Sequence, residues 1–223
     1  MFTGIVQGTA TVVRAVDAGG LRHLRIRFPA GSMAGLVQGA SVSLAGTCLT
    51  AVDLGPADAG DAVGDEVGDE VGDEVGFDCI GETLARTTLG RWTPGDAVNF
   101  ERAARIGDEI GGHLLSGHVH HAAEVVARVE HEGNLTLGIE VAPELAKYLL
   151  PKGYIAVDGA SLTIGEVNGP VFSVHLIPET RRVTTLGAVR VGDAVNVELD
   201  AMTQAVVDTV TRVLAQQALT ARS

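Results

Sequence analysis

The chain has 223 residues, 46% of them hydrophobic but only 4% aromatic, with 29 glycines, two cysteines and a formal charge of −12. That length suits one large domain or two of about 100 residues, two cysteines exclude a disulfide scaffold, and no apolar run approaches the ~20 residues of a membrane-spanning helix. Eight acidic residues (Asp58, Asp61, Asp65, Glu66, Asp69, Glu70, Asp73 and Glu74) lie between Gly55 and Gly76 with no Lys or Arg, leaving −4 on the rest, and no basic patch suited to nucleic acid is visible.

From the N-terminus, Met1-Phe2-Thr3-Gly4-Ile5-Val6 lacks the basic flank of a secretory leader, since the first cation is Arg14. The expectation is a soluble, cytoplasmic protein that contacts neither membrane nor nucleic acid. Thr9–Val13, Leu24–Phe28 and Val42–Leu44 alternate apolar and polar residues at or near period two, which predicts strands with one buried face. Residues 55–76 carry three Gly-Asp-Glu-Val units from Gly64 to Val75. Low complexity and high charge predict a solvated, disordered hairpin loop there. It lacks the spacing of a calcium loop.

Further along, Ala123–Val126, Leu135–Ile139 and Ile155–Val157 repeat the strand pattern. Pro143 opens a short helix towards Leu150, with Pro151 and Gly153 as stop signals. From Ala201 to Leu219, Met202, Val206, Val210 and Val213, widened by Val207 and Leu214, form the stripe of an amphipathic helix. It can pack on its own chain or bundle with copies of itself, and its single occurrence favours oligomerisation.

The two sets of strands belong to an internal duplication. Thr87-Thr88-Leu89-Gly90 recurs as Thr184-Thr185-Leu186-Gly187, and Gly95-Asp96-Ala97-Val98-Asn99 as Gly192-Asp193-Ala194-Val195-Asn196, both 97 residues on. Earlier the offset is 113: Gly4 pairs with Gly117, and Gly46-Thr47-Cys48-Leu49-Thr50 with Gly159-Ala160-Ser161-Leu162-Thr163. The difference of 16 residues places the acidic stretch as an insertion in the first copy. Short strands in each copy predict two small closed barrels, with units at 1–103, 104–200 and a tail at 201–223.

The opening Met1–Val6 resembles the riboflavin synthase family. So do Gly46–Thr50, Glu109-Ile110-Gly111-Gly112-His113-Leu114, Ser116-Gly117-His118, Asp158–Thr163, His175-Leu176-Ile177-Pro178-Glu179-Thr180 and Thr203–Asp208. The resemblance covers nearly the whole chain outside the acidic insertion. It implies an all-β protein with short helices: tandem six-stranded Greek-key barrels followed by a C-terminal oligomerisation helix that gathers a homotrimer. The reaction it implies is the last step of riboflavin biosynthesis. One 6,7-dimethyl-8-ribityllumazine gives a four-carbon unit to a second, yielding riboflavin and 5-amino-6-(D-ribitylamino)uracil. It implies no cofactor and no metal, because the substrate stabilises its own carbanion at the 7-methyl group. Each barrel would bind one substrate, with the working site between barrels of neighbouring subunits. An association with lumazine synthase is a further expectation.

Two related pockets with different chemistry suit a dismutation of identical substrates. The offsets pair Ser161 with Cys48, Ile5 with His118 and Ala103 with Asp200, so the second half holds more ionisable groups. Cys48 is the candidate nucleophile of the first pocket, or a buried small hydrophobe. Cys79 has only the bland reading as a nucleophile. His118 is the candidate proton carrier, with His120 and His121 solvated. Ser161 and Thr163, two apart on a strand, face one side and could bind ring carbonyls or a water. Asp200 either activates a hydroxyl or His118, or caps the tail helix.

What the resemblance adds concerns binding. Gly4, Ile5, Val6, Gly117, His118 and Val119 would contact the pteridine, with Cys48, Leu49 and Thr50 in the first pocket and Ser161, Leu162 and Thr163 in the second. Asp78, Cys79, Ile80, Gly81, Glu82 and Thr83, and Ile177, Pro178, Glu179, Thr180, Arg181 and Arg182, would close over ring and ribityl chain, with Lys152 nearby. Two departures stand out. Arg181-Arg182 replaces an apolar and an acidic or polar residue, which would alter ribityl contacts. Ala45 replaces a polar residue, which would cost the first pocket a hydrogen bond. Non-catalytic lumazine-binding antenna proteins share the duplicated fold and are the main rival reading; the set Cys48, His118, Ser161, Thr163 and Asp200 favours the enzyme. A flavin reductase barrel is a weaker rival, because no nicotinamide-binding βαβ unit follows.

Overall fold

The computed structural model describes residues 1–55 and 73–220. The first half comprises β1 (Gly8–Ala18), β2 (Leu21–Phe28), β3 (Ser41–Leu44), β4 (Thr47–Asp53), β5 (Asp73–Ile80), α1 (Gly81–Arg86), a 3₁₀ turn at Thr88–Arg91 and β6 (Ala97–Arg102). The second repeats it with β7 (His121–His131), β8 (Asn134–Glu140), β9 (Tyr154–Val157), β10 (Ala160–Asn168), β11 (Val171–Leu176), α2 (Pro178–Val183) and β12 (Ala194–Leu199). Each half closes into an antiparallel Greek-key barrel, in the order β1-β2-β5-β4-β3-β6 and, six strands later, β7-β8-β11-β10-β9-β12. A last helix, α3 (Ala201–Thr220), follows the second barrel.

Alternation fills the barrels. In β2, Leu24, Ile26 and Phe28 turn inward and are at most 2% exposed, while the residues between them stay at the surface. Phe28 meets Phe100 edge-on at 5.1 Å, anchoring the first core. The acidic-loop expectation needs correction at its end: Asp73–Gly76 begin β5 instead of a loop. There Val75 is buried and the Glu74 carboxylate pairs with Arg27 at 2.7 Å, so cross-strand pairing with β2 outweighs low complexity. The rest of that expectation, 56–72, lies outside the described residues. The helix at Pro143 is 3₁₀ and ends at Tyr148.

The two barrels meet about a pseudo-dyad that the longest sequence repeats build. The Asn99 amide donates to the Asp158 carbonyl at 2.9 Å and accepts from the Thr185 N–H at 2.7 Å. Asn196 mirrors it, donating to Ala45 O at 2.8 Å and accepting from Thr88 N–H at 2.7 Å. The β3–β4 and β9–β10 turns touch at Gly46 and Gly159, where a Cβ on either would lie under 3 Å from the other's nitrogen.

Candidate active site

Ahead of each barrel runs a short strap, residues 2–6 and 115–119. The straps pair with each other at Phe2 and Leu115, with N–H···O bonds of 2.8 and 2.9 Å. Each then crosses to the opposite barrel. The Gly4 carbonyl accepts from Ser161 N–H of β10, and the Gly117 carbonyl from Cys48 N–H of β4, both at 2.8 Å. Val6 packs into the core of the second barrel although it belongs to the first half. Gly4 and Gly117 have φ of +76° and +80°, and a Cβ on either would sit 2.5 Å from the Cβ of Ser161 or Cys48. Only glycine permits that approach.

Two pseudo-equivalent candidate pockets follow. At the first, Gly117 meets Cys48 of β4, with His118 and Val119 next in the strap, and β5, which adjoins β4, ends at Ile80 and leads into α1. At the second, Gly4 meets Ser161 of β10, with Ile5 and Val6 next in the strap, and β11, which adjoins β10, leads through Ile177 into α2. Leu49 and Leu162 turn into the barrels, whereas Cys48, Thr50, Ser161 and Thr163 face outward. Ser161 and Thr163 therefore share one face, as expected, and that face points away from the barrel core. Ile5, Ile80 and Ile177 are 48%, 56% and 59% exposed, so both pockets open onto the surface of the single chain.

Their chemistry differs. The half-buried Cys48 packs beside Phe2, Leu115 and Ala156. Cys79 is buried, and burial, reinforced by the Asp78 carboxylate, pushes its thiol up to about 12, which keeps it inert. In the second pocket the residue that sequence reasoning left without a role is His113. Its Nδ1 lies 2.6 Å from Ser161 Oγ, its ring stacks on Tyr154 at 5.0 Å, and its Nε2 is buried with no hydrogen-bond partner among the described residues. Burial lowers its pKa below the usual 6.5, against the pull of Asp200 and Glu198, so the ring is neutral at pH 7. Its signal was present in Gly111-Gly112-His113.

The other expected residues are spread around this centre. Asp200 caps α3, accepting from Thr203 N–H at 2.8 Å and Thr203 Oγ at 2.6 Å. Burial alone would raise its pKa, but these bonds and His113 hold it below the carboxylate norm. Of its two expected roles these bonds show the cap, and its charge is also felt at His113. His118 is exposed, its N–H donating to Ser116 Oγ at 3.2 Å. His120, expected to be solvated, is instead half-buried between Gln204 and Leu199 N–H. Lys152 is exposed on the turn before β9, its N–H bonded to Ile164 O. Arg181 reaches away to Glu130 and Gly133 O, and Arg182 pairs with Glu179. Ala45, expected to affect the first pocket, lines the cleft between the barrels together with Asp158.

Residues 3–103 and 116–200 both match the lumazine binding domain. The chain is 47% identical to the riboflavin synthase of Escherichia coli (strain K12) over 216 residues, covering 96% of this chain and 94% of that one. The chain belongs to the riboflavin synthase family. A riboflavin synthase of Chlamydia pneumoniae is 41% identical, covering 96% of this chain and 98% of its own. Crystal structures of LumP complexed with 6,7-dimethyl-8-(1'-D-ribityl) lumazine and with riboflavin share the family fold, with TM-scores of 0.75 and 0.77. Both are 26% identical and cover 90% of this chain and 99% or 100% of LumP. Identity to the riboflavin synthases is well above that to LumP.

Proposed function

We infer that the chain is a riboflavin synthase, joining two molecules of 6,7-dimethyl-8-ribityllumazine into riboflavin and 5-amino-6-(D-ribitylamino)uracil. The observation that carries the reading is the pair of related, strap-walled pockets with unlike chemistry, a thiol in one and a Ser–His pair in the other. Two identical substrates must play different parts in a dismutation, and a symmetric protein could not tell them apart.

In this reading the second pocket handles the protons. Ser161 donates its hydroxyl proton to Nδ1 of neutral His113, which leaves Oγ able to accept one from the substrate's acidic 7-methyl group. Thr163 lies on the same outward face to bind the ring, and Asp200 favours the imidazolium as it forms. The first pocket holds the other substrate against Cys48, Thr50 and His118. Functional units follow the repeat, 1–103 and 104–200, with the tail 201–223 separate. That tail gathers a homotrimer, bringing the open pockets of neighbouring subunits face to face. The support is the uncovered stripe of Met202, Val206 and Val210, each more than half exposed. Work in the cytoplasm without cofactor, beside lumazine synthase, completes the reading.

Incubating the full chain with the lumazine alone tests it. Riboflavin and the diaminouracil in equal amounts are expected; tight binding without turnover would contradict it.

A further inference from the structure

Two buried carboxylates touch neither the thiol nor the Ser–His pair. Glu101 of β6 and Glu198 of β12 are 3% and 4% exposed, and among the described residues neither pairs with a side-chain cation. Each is instead saturated by a strap. Glu101 accepts from Thr3 N–H at 2.6 Å, Thr3 Oγ at 2.8 Å and Gly4 N–H at 3.0 Å. Glu198 does the same with Ser116 N–H at 2.8 Å, Ser116 Oγ at 2.6 Å and Gly117 N–H at 3.0 Å. Such charge-assisted bonds are stronger than neutral ones.

The same glycines bond to the other barrel through their carbonyls. Gly4 is held by Glu101 of the first barrel and faces Ser161 of the second; Gly117 is held by Glu198 of the second and faces Cys48 of the first. The clearance at both glycines is too small for a single carbon, so any shift of a strap is transmitted to the pocket wall.

We propose that Glu101 and Glu198 are positioning residues that act crosswise, Glu101 setting the substrate pocket of the second barrel and Glu198 that of the first. The proposal rests on the reading that Cys48 and Ser161 line the two pockets. An amide at either position keeps one acceptor but presents a donor to a backbone N–H, so Glu→Gln loosens a strap without adding bulk.

Cys48 makes the first pocket separately readable, since Cys79 is buried and unreactive. The experiment alkylates Cys48 in the full chain with iodoacetamide and titrates 6,7-dimethyl-8-ribityllumazine as protectant. Glu198→Gln is expected to raise the half-protecting concentration about tenfold or more, while Glu101→Gln shifts it less than about threefold and weakens the remaining class of sites in a lumazine fluorescence titration. Equal shifts in both variants, as a merely structural role would give, overturn the proposal. So does a larger effect of Glu101→Gln. Should Glu198→Gln fail to fold, Ser116→Ala removes one donor and leaves the carboxylate; unchanged protection in that variant also overturns it. Crosswise protection in a chain that makes no riboflavin would sink the enzymatic reading and leave this one standing. Turnover without the crosswise pattern would do the reverse.

Discussion

At the residue scale, burial decides which groups are chemically useful. His113 is kept neutral at pH 7 and joined to Ser161 at 2.6 Å, a combination that accepts protons. Replacing His113 with Gln should cut kcat by about 10²–10⁴, the span of a lost general base, with KM changed far less. Because burial lowers its pKa, protonation and loss of activity should set in below pH 6.5 in a kcat profile; an acid limb above that value would contradict the assignment. Asp158 is the opposite case. Burial raises its pKa from 3.8 to about 7, against the one bond from Asn196 N–H, with Arg91, Asp96 and Asp193 lining the same cleft. The folded state then binds its proton more tightly than the unfolded one, so stability falls as pH rises from 3.8 to about 7. Asp158→Asn should flatten that decline, as read from thermal midpoints across the window. Cys48 and Ser161 were legible in the sequence because they break a repeat. His113 was not, because its role comes from contact with Ser161, 48 residues further along the chain.

At the element scale, equivalent positions are reached by unlike means. Arg22 of β2 clamps the carbonyls of Gly90 and Trp92 at 2.8 and 2.9 Å. Arg128 of β7 clamps those of Val189 and Gly187, the same two positions one repeat on, at 3.0 and 3.4 Å. The arginines come from different strands, so no alignment of the halves reveals the shared task. The tail helix shows a similar split. Its inner side is held where Asp208 accepts from Tyr148 OH at 2.6 Å and Lys147 Nζ at 2.9 Å, with Val207 against the second core. Its apolar stripe predicted a partner, and the pattern alone could not separate inner contacts from outer ones. Val206→Asp with Val210→Asp should leave the barrels folded and shift sedimentation from trimer to monomer, with activity lost in parallel. A persistent trimer would place the interface elsewhere.

At the scale of the whole molecule, the most visible repeats hold the barrels together and line the cleft between them. Asn196 makes four hydrogen bonds across or beside the junction, two through its side chain. Asn196→Leu should strand Thr88 N–H and Ala45 O and destabilise the chain by about 3 kcal/mol in urea unfolding, the loss expected of buried unpaired groups. Two barrels and their repeat were readable from strand alternation and offsets. The exchange of straps was not, since contacts between residues 69 and 157 apart leave no local pattern. Because of that exchange Cys48 and Ser161 each meet a strap from the other half, and in the proposed function the two unlike side chains serve two copies of one substrate. The most direct measurement is deuterium uptake at the lumazine 7-methyl group, compared with riboflavin formation, in Ser161→Ala, His113→Gln and Cys48→Ser. If the second pocket removes the proton, the first two variants lose catalysed exchange and turnover together, and Cys48→Ser retains exchange. Exchange that survives in Ser161→Ala and His113→Gln but vanishes in Cys48→Ser would contradict it.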